Sequence, residues 1–220
     1  MPKIIQVELA GQPFQLFAEC GLYRPTPSML FVADTHFGKE ATFRRHGLPV
    51  PAGTTDATLE KISCMLFRTR TQRLCILGDM FHARSSLSDN VCQSLENFFA
   101  AHCDVKIMLI RGNHDASVGK LPKHWPIEIV DPGVIIEKVA LGHHPTAVPE
   151  GGDIYLCGHV HPAIRVSSRT ERLGKLPCFW YSRGQLVLPA IGDFTGTHAV
   201  TLSVGDKAWI TTQNEIYDFQ

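Results

Sequence analysis

Val105-Lys106-Ile107-Met108-Leu109-Ile110-Arg111-Gly112-Asn113-His114-Asp115 is the stretch that decides the fold. Its first six residues are almost all apolar, the pattern of a strand buried on both faces. The run stops at Arg111 and gives way to a glycine and three polar residues. Two runs upstream repeat the arrangement. Met29-Leu30-Phe31-Val32-Ala33 leads into Asp34-Thr35-His36, and Arg73-Leu74-Cys75-Ile76-Leu77 leads into Gly78-Asp79. Helical periodicity fills the gaps between them. Residues 54–68 carry Leu59, Ile62, Met65 and Leu66 on one face, with Thr54, Thr55 or Asp56 available as cap. Residues 88–102 start at Ser88 and turn Val91, Leu95, Phe98 and Phe99 inward. Strand–helix–strand–helix–strand predicts a parallel sheet with crossover helices.

Outward from this unit, residues 4–9 and 13–18 read as a hairpin around Ala10-Gly11-Gln12. Residues 38–53 are basic, then rich in proline and glycine, and read partly as loop. From 127 onward the sequence turns to short β-type runs at 127–130, 134–141, 153–157, 163–167, 178–181, 185–188, 197–204 and 207–212, with no strong helix pattern. The expected architecture is α/β: two face-packed sheets flanked by helices, in one domain over residues 1–220.

Composition narrows the function classes. Apolar residues make up 44% of the 220 and charged residues 19%, which suits a folded globular chain and argues against disorder. Formal net charge is zero, so nucleic-acid contact needs a local basic patch. The N-terminus lacks the basic start and apolar core of a signal peptide, and no apolar run reaches the length of a membrane span. A cytoplasmic protein with no membrane role is expected. Seven cysteines at scattered positions, without any Cys-x-x-Cys, read as buried reduced thiols.

Eleven histidines stand out, and their positions matter more than their number. Asp34-Thr35-His36, Gly78-Asp79, Gly112-Asn113-His114-Asp115, Gly142-His143-His144 and Gly158-His159-Val160-His161 each follow a β-type run. In sheets with crossover connections, ligand sites gather beyond the carboxyl ends of strands. Carboxylate, amide and imidazole donors suit Mn²⁺, Zn²⁺ or Fe. Any one of these motifs is weak, and their ordered recurrence at strand ends carries the reading.

The order of the five motifs resembles the calcineurin-like metallophosphoesterases over residues 29–162. Flanking segments sharpen the resemblance: residues 33–40, Phe43-Arg44-Arg45-His46-Gly47, residues 50–55 and the stretch Leu188 to Gly196 are similar to the bacterial ligase-associated phosphoesterases, the PdeM group of DNA damage response endonucleases. The chain departs from that pattern at Thr35 and Ile191, neither of them a ligand position.

The resemblance implies two divalent cations, manganese first, with zinc or iron as alternatives. One is held by Asp34, His36 and His161, the other by Asn113, His143 and His159, and Asp79 bridges them. His144 is the weaker candidate in the fourth motif. Two cations roughly 3.5–4 Å apart lower the pKa of a shared water, which supplies hydroxide near neutral pH. His114 is expected to serve the leaving oxygen, with Asp115 orienting it or raising its pKa, and Arg111 to contact phosphate.

Weaker signals surround this set. Lys39, Arg44, Arg45 and His46 are read either as backbone-phosphate contacts or as a solvated helix face. His82 and Arg84 are read as pocket-lining or surface, and Phe179, Trp180 and Tyr181 as core in preference to a base-stacking platform.

The leading expectation is a metal-dependent phosphodiesterase acting on DNA in repair, with association to a DNA ligase or helicase implied only by the resemblance. The alternative is a phosphoesterase for a small molecule, such as a cyclic nucleotide or a phosphomonoester. A non-catalytic scaffold of the same fold is disfavoured, because the ligand set and His114 are all present.

Overall fold

The three central apolar runs become neighbouring strands. In the computed structural model, residues 2–45, 47, 50, 53–167, 172–212 and 214–219 are described, without the side chains of residues 45, 167, 172 and 173. β1 (Ile4–Leu9), β2 (Gln12–Phe17), β3 (Leu22–Arg24) and β4 (Met29–Val32) form an antiparallel meander. β5 (Arg73–Ile76), β6 (Lys106–Ile110) and β7 (Ile127–Val130) extend it in parallel, which gives a seven-stranded sheet in chain order. The crossovers carry α1 (Lys39–Arg45), α2 (Thr54–Thr69), α3 (Asp89–Ala101) and the short α4 (Asp115–Val118).

The second sheet holds β8 (Ile135–Ile136), β9 (Val139–Leu141), β10 (Ile154–Cys157), β11 (Pro162–Ser167), β12 (Arg172–Ser182), β13 (Gln185–Val187) and β14 (His198–Ala199). Their order is β14-β11-β12-β13-β10-β9-β8. β15 (Lys207–Thr211) pairs with β12, and β16 (Ile216–Phe219) with β15. β10 runs parallel to both β9 and β13.

Alternation along the strands explains the layering. Leu30, Val32, Leu74, Ile76, Ile107 and Leu109 pack against α2 and α3 through Leu59, Ile62, Met65, Leu66, Leu95, Phe98 and Phe99. The opposite face presents Leu16, Phe31, Cys75, Leu77 and Ile110, which meet Val139, Leu141, Ile154, Leu156, Phe179 and Leu186 of the second sheet. Two sheets thus share one buried core. Among the described residues helices cover only the first sheet, so the expected flanking is one-sided.

Several sequence expectations shift. The run 134–141 is not one strand: it folds back at Glu137 and Lys138, with φ of 44° and 73°, into the β8–β9 hairpin. No Gly, Asn or Asp marks that turn. A tertiary clamp holds it instead, because Arg24 of β3 donates to the Ile136 carbonyl at 3.1 Å and the Glu137 carbonyl at 2.8 Å. Residues 127–130 join the first sheet, and the 197–204 run contracts to His198–Ala199. α1 occupies part of the expected loop, while Pro51, Ala52 and His46 lie outside the described residues. All seven cysteines are free, but Cys64 and Cys103 are exposed and so depart from the expected burial.

Leu16 is fully buried between the sheets, whereas Phe67 is 83% exposed. Leu16→Ala is expected to lower unfolding free energy by about 2–5 kcal/mol. Phe67→Ser is expected to change it by less than about 0.5 kcal/mol, both read from urea denaturation.

Candidate metal centre

Parallel pairing brings the five motifs to one place. β4, β5 and β6 end side by side, so Asp34, Asp79 and the Gly112–Asp115 turn emerge together. β9 and β10 are also parallel, and deliver Gly142-His143-His144 and Gly158-His159-Val160-His161. At these tips the chain turns through unusual backbone states. Asp34, His36, Asp79, His159 and His161 have φ of 54°, 43°, 49°, 69° and 50°. For residues other than glycine this region carries strain on the order of 1–2 kcal/mol each, which the surrounding packing must hold.

Each carboxylate has one oxygen anchored and one presented. Asp34 Oδ2 accepts the His159 N–H at 2.9 Å, and Asp79 Oδ1 accepts the His114 N–H at 2.9 Å. The Leu77 carbonyl accepts Nδ1–H of His143 at 2.9 Å, which aims Nε2 inward. That Nε2 lies 3.3 Å from Asp79 Oδ2, 3.0 Å from Asn113 Oδ1 and 3.2 Å from His159 Nδ1. On the other side His161 Nε2 lies 3.4 Å from Asp34 Oδ1. Donor atoms of Asp34, His36 and His161 fall within 4.8 Å of one another, as do those of Asp34, Asp79 and His143. His143, His144 and His159 form a third such group, so the structure places His144 beside the cluster as well.

The donor chemistry fits cations. Lone pairs of two carboxylates, an amide oxygen and several imidazoles converge, and they repel unless something positive lies among them. Asp34 Oδ1, which faces His161 Nε2 at 3.4 Å, is buried with no hydrogen-bond partner, an unfavourable state that coordination relieves.

Titration follows the same crowding. Burial pushes His36 down to about 3, helped by the Lys39 ammonium, against the pull of Asp79. For Asp79 burial acts upward, but His143, the His114 amide and His36 outweigh it and bring the carboxyl to about 2. Burial likewise opposes charge on His143, yet the Asp79 and Asp34 carboxylates raise its pKa above the ordinary value.

His114 sits beside the cluster. Its Nδ1 meets the His82 carbonyl at 2.7 Å; a carbonyl only accepts, so Nδ1 carries the proton. Nε2 then faces inward, 3.9 Å from Asp79 Oδ2. The His82 ring stacks on His114 with centroids 4.9 Å apart, which brings His82 into the site. Asp115 does not touch the His114 ring. Its carboxylate accepts the Gly112 N–H at 2.9 Å and the Phe81 N–H at 3.3 Å, tying two strand-tip turns together.

The cationic candidates divide. Lys39 is half-buried within electrostatic reach of Asp34 and Asp79; burial lowers its pKa against their pull. Arg111 is exposed, 3.4 Å from Asp131. Arg84 is exposed in a 3-10 turn, Arg84–Ser86. Arg44 lines a separate groove with Glu40, Asp56 and Ser88, and the Arg45 side chain lies outside the described residues. Phe179 is core, and Trp180 packs against two apolar clusters while its indole donates to Asp206 at 3.2 Å, the core placement expected for this run.

Three supports were not legible. Tyr155 donates to the His144 carbonyl at 3.1 Å and fixes the fourth motif. The Ile191 and Gly192 amides donate to the Ala33 and Asp34 carbonyls, which gives the Leu188–Gly196 stretch its role of bracing β4. The His82 carbonyl is invisible in a side-chain pattern.

Strand-tip carboxylates and imidazoles in this geometry define a metal-dependent hydrolase site. Residues 27–135 match the calcineurin-like phosphoesterase family. The chain is similar to the Pseudomonas putida nuclease MPE at 33% identity and a TM-score of 0.85, covering 99% of this chain and 100% of that one. Lower similarity extends to the Escherichia coli phosphoesterase Yfce at 17% identity and a TM-score of 0.42, covering 82% of this chain and 86% of that one. No curated protein sequence matches. The chain belongs to the calcineurin-like phosphoesterases and is a metal-dependent phosphoesterase.

A Cβ at Gly112 would collide with Asp79 Oδ1 and the Asp79 backbone nitrogen. Gly112→Ala is expected to destabilise the fold by about 1–3 kcal/mol and to weaken cation binding, read by thermal unfolding and calorimetry. A proton and a cation compete for His143 Nε2. Because the His143 pKa is raised, the protonated form gains as pH falls below neutrality and cation affinity should drop. Titration with Mn²⁺ at pH 8 and pH 6 checks this, with proton release on binding as a second readout.

Proposed function

We propose that the chain hydrolyses phosphodiester bonds in DNA, with two divalent cations, manganese first, held as the sequence implied. Asp34, His36 and His161 take one, Asn113, His143 and His159 take the other, and Asp79 lies between. The observation that carries the reading is the convergence of both donor groups on Asp79 and Asp34. Similarity along its whole length to a nuclease supports nucleic acid as substrate.

Divalent cations held by these residues would supply Lewis acidity and an activated water. The chain supplies the rest. The inward Nε2 of His114, when protonated, donates to the leaving oxygen, and the His82 carbonyl holds the ring in the productive tautomer. The Lys39 ammonium, within electrostatic reach of Asp34 and Asp79, and Arg111 at the rim offset charge on the phosphate. His82 and Arg84 extend the substrate side. A role in cytoplasmic DNA repair beside a ligase or helicase completes the proposal, supported by the ligase-associated motifs. Residues 1–220 act as one domain, supported by the shared core.

Mn²⁺-dependent cutting of DNA is expected, and Asp79→Ala should abolish both cutting and cation binding. His114→Ala should keep its metal content while turnover falls by about 10²–10⁴-fold. Preparations that hydrolyse cyclic nucleotides or phosphomonoesters and never cut DNA or RNA would favour the small-molecule alternative and overturn the proposal.

A further inference from the structure

A groove of about 550 Å³ starts at the rim of the metal centre and runs along β7. Arg111 and Asp115, which bracket Asn113 and His114, form its near end. Its floor is packed: Trp125 is 5% exposed and stacked on Phe81 at 6.1 Å between ring centroids. Along its wall two exposed cations, Lys120 and Lys123, flank the half-buried pair Leu121 and Pro122.

Positive charge predominates in this groove, where Arg111, Lys120 and Lys123 face a single lining carboxylate, Asp115. Among the described residues no carboxylate pairs with Lys120 or Lys123, while the neighbouring acids are engaged or turned away. Asp115 accepts two backbone amides, and Asp131 pairs with Arg111. Ile127 and Ile129 line the groove, so strand alternation turns Glu128 to the other face. A chain with formal net charge zero thus holds a local cationic strip continuous with its catalytic turn.

The geometry points to this groove as the track for the nucleic-acid strand that flanks the scissile phosphate. Lys120 and Lys123 take successive backbone phosphates, and Leu121, Pro122 and Ile129 lie against a sugar or base face between them. Alternating charge and apolar surface matches a polynucleotide, whose phosphates and sugar–base units alternate in the same way. The inference rests on the nucleic-acid reading above and adds where the substrate lies.

The test compares wild type, Lys120→Ala/Lys123→Ala and Lys120→Arg/Lys123→Arg on two substrates, a long DNA oligonucleotide and bis-p-nitrophenyl phosphate, across a salt series. The alanine variant should raise KM for the oligonucleotide about tenfold and flatten the slope of log KM against log salt by about 0.7 for each phosphate that is no longer neutralised. Hydrolysis of the small diester should stay unchanged, and the arginine variant should restore oligonucleotide cutting. If the alanine variant matches wild type on DNA at every salt concentration, the groove assignment is overturned while the nuclease reading stands. A wild type that hydrolyses the small diester but cuts no polynucleotide overturns both.

Discussion

Two backbone amides hold the centre together. The His159 N–H reaches Asp34 and the His114 N–H reaches Asp79, each at 2.9 Å. A buried carboxylate left to itself would rotate or take up a proton. With one oxygen fixed, each carboxylate has a single orientation for the other, and that oxygen faces the imidazoles. The first of these bonds also crosses between sheets, from the tip of β10 to the tip of β4. Side-chain placement at the site is therefore set by main-chain geometry, the least mutable part of the protein.

That geometry imposes demands elsewhere. The amides reach their targets only because the tips of both sheets come within hydrogen-bond distance, which the dense apolar layer between the sheets enforces. Close approach excludes side chains at Gly112 and Gly158, where a Cβ would meet Asp79 and Asp34 respectively. It also forces five donor residues into left-handed backbone states. The packed core and the bracing amides of Ile191 and Gly192 offset that strain. Strain of this kind persists where surrounding structure over-determines the conformation.

Much of this was legible because the first half obeys local rules. Largely apolar runs at 29–33, 73–77 and 105–110 are buried apart from Arg73 and Lys106 at the strand starts and the half-buried Met108, and periods near 3.6 gave α2 and α3 within about a residue of their ends. The candidate donors stood out because their motifs follow β-type runs, and the structure gathers those motifs at the strand tips. The β8–β9 hairpin was not, since its turn depends on Arg24, more than a hundred residues away in sequence. Asp115 was placed against His114 by adjacency alone, whereas the tight turn swings its carboxylate toward Gly112 and Phe81. What was missed rests on backbone carbonyls and amides, which carry no residue-specific mark.

The candidate donors come from both sheets, which would couple cation occupancy to tertiary structure. Asp34, His36, Asp79 and Asn113 belong to the first sheet's tips, His143, His159 and His161 to the second's. A ligand that binds only when both sets are assembled adds RT ln(1 + [L]/Kd) to the free energy separating the folded chain from the unfolded one. On the proposed assignment the seam between the sheets is where cation concentration would be read out as resistance to opening. In thermodynamic terms a divalent cation held by donors of both sheets would act as an interlayer clasp as well as a reagent, tying the folded chain's lifetime to the supply of an ion that its chemistry does not consume.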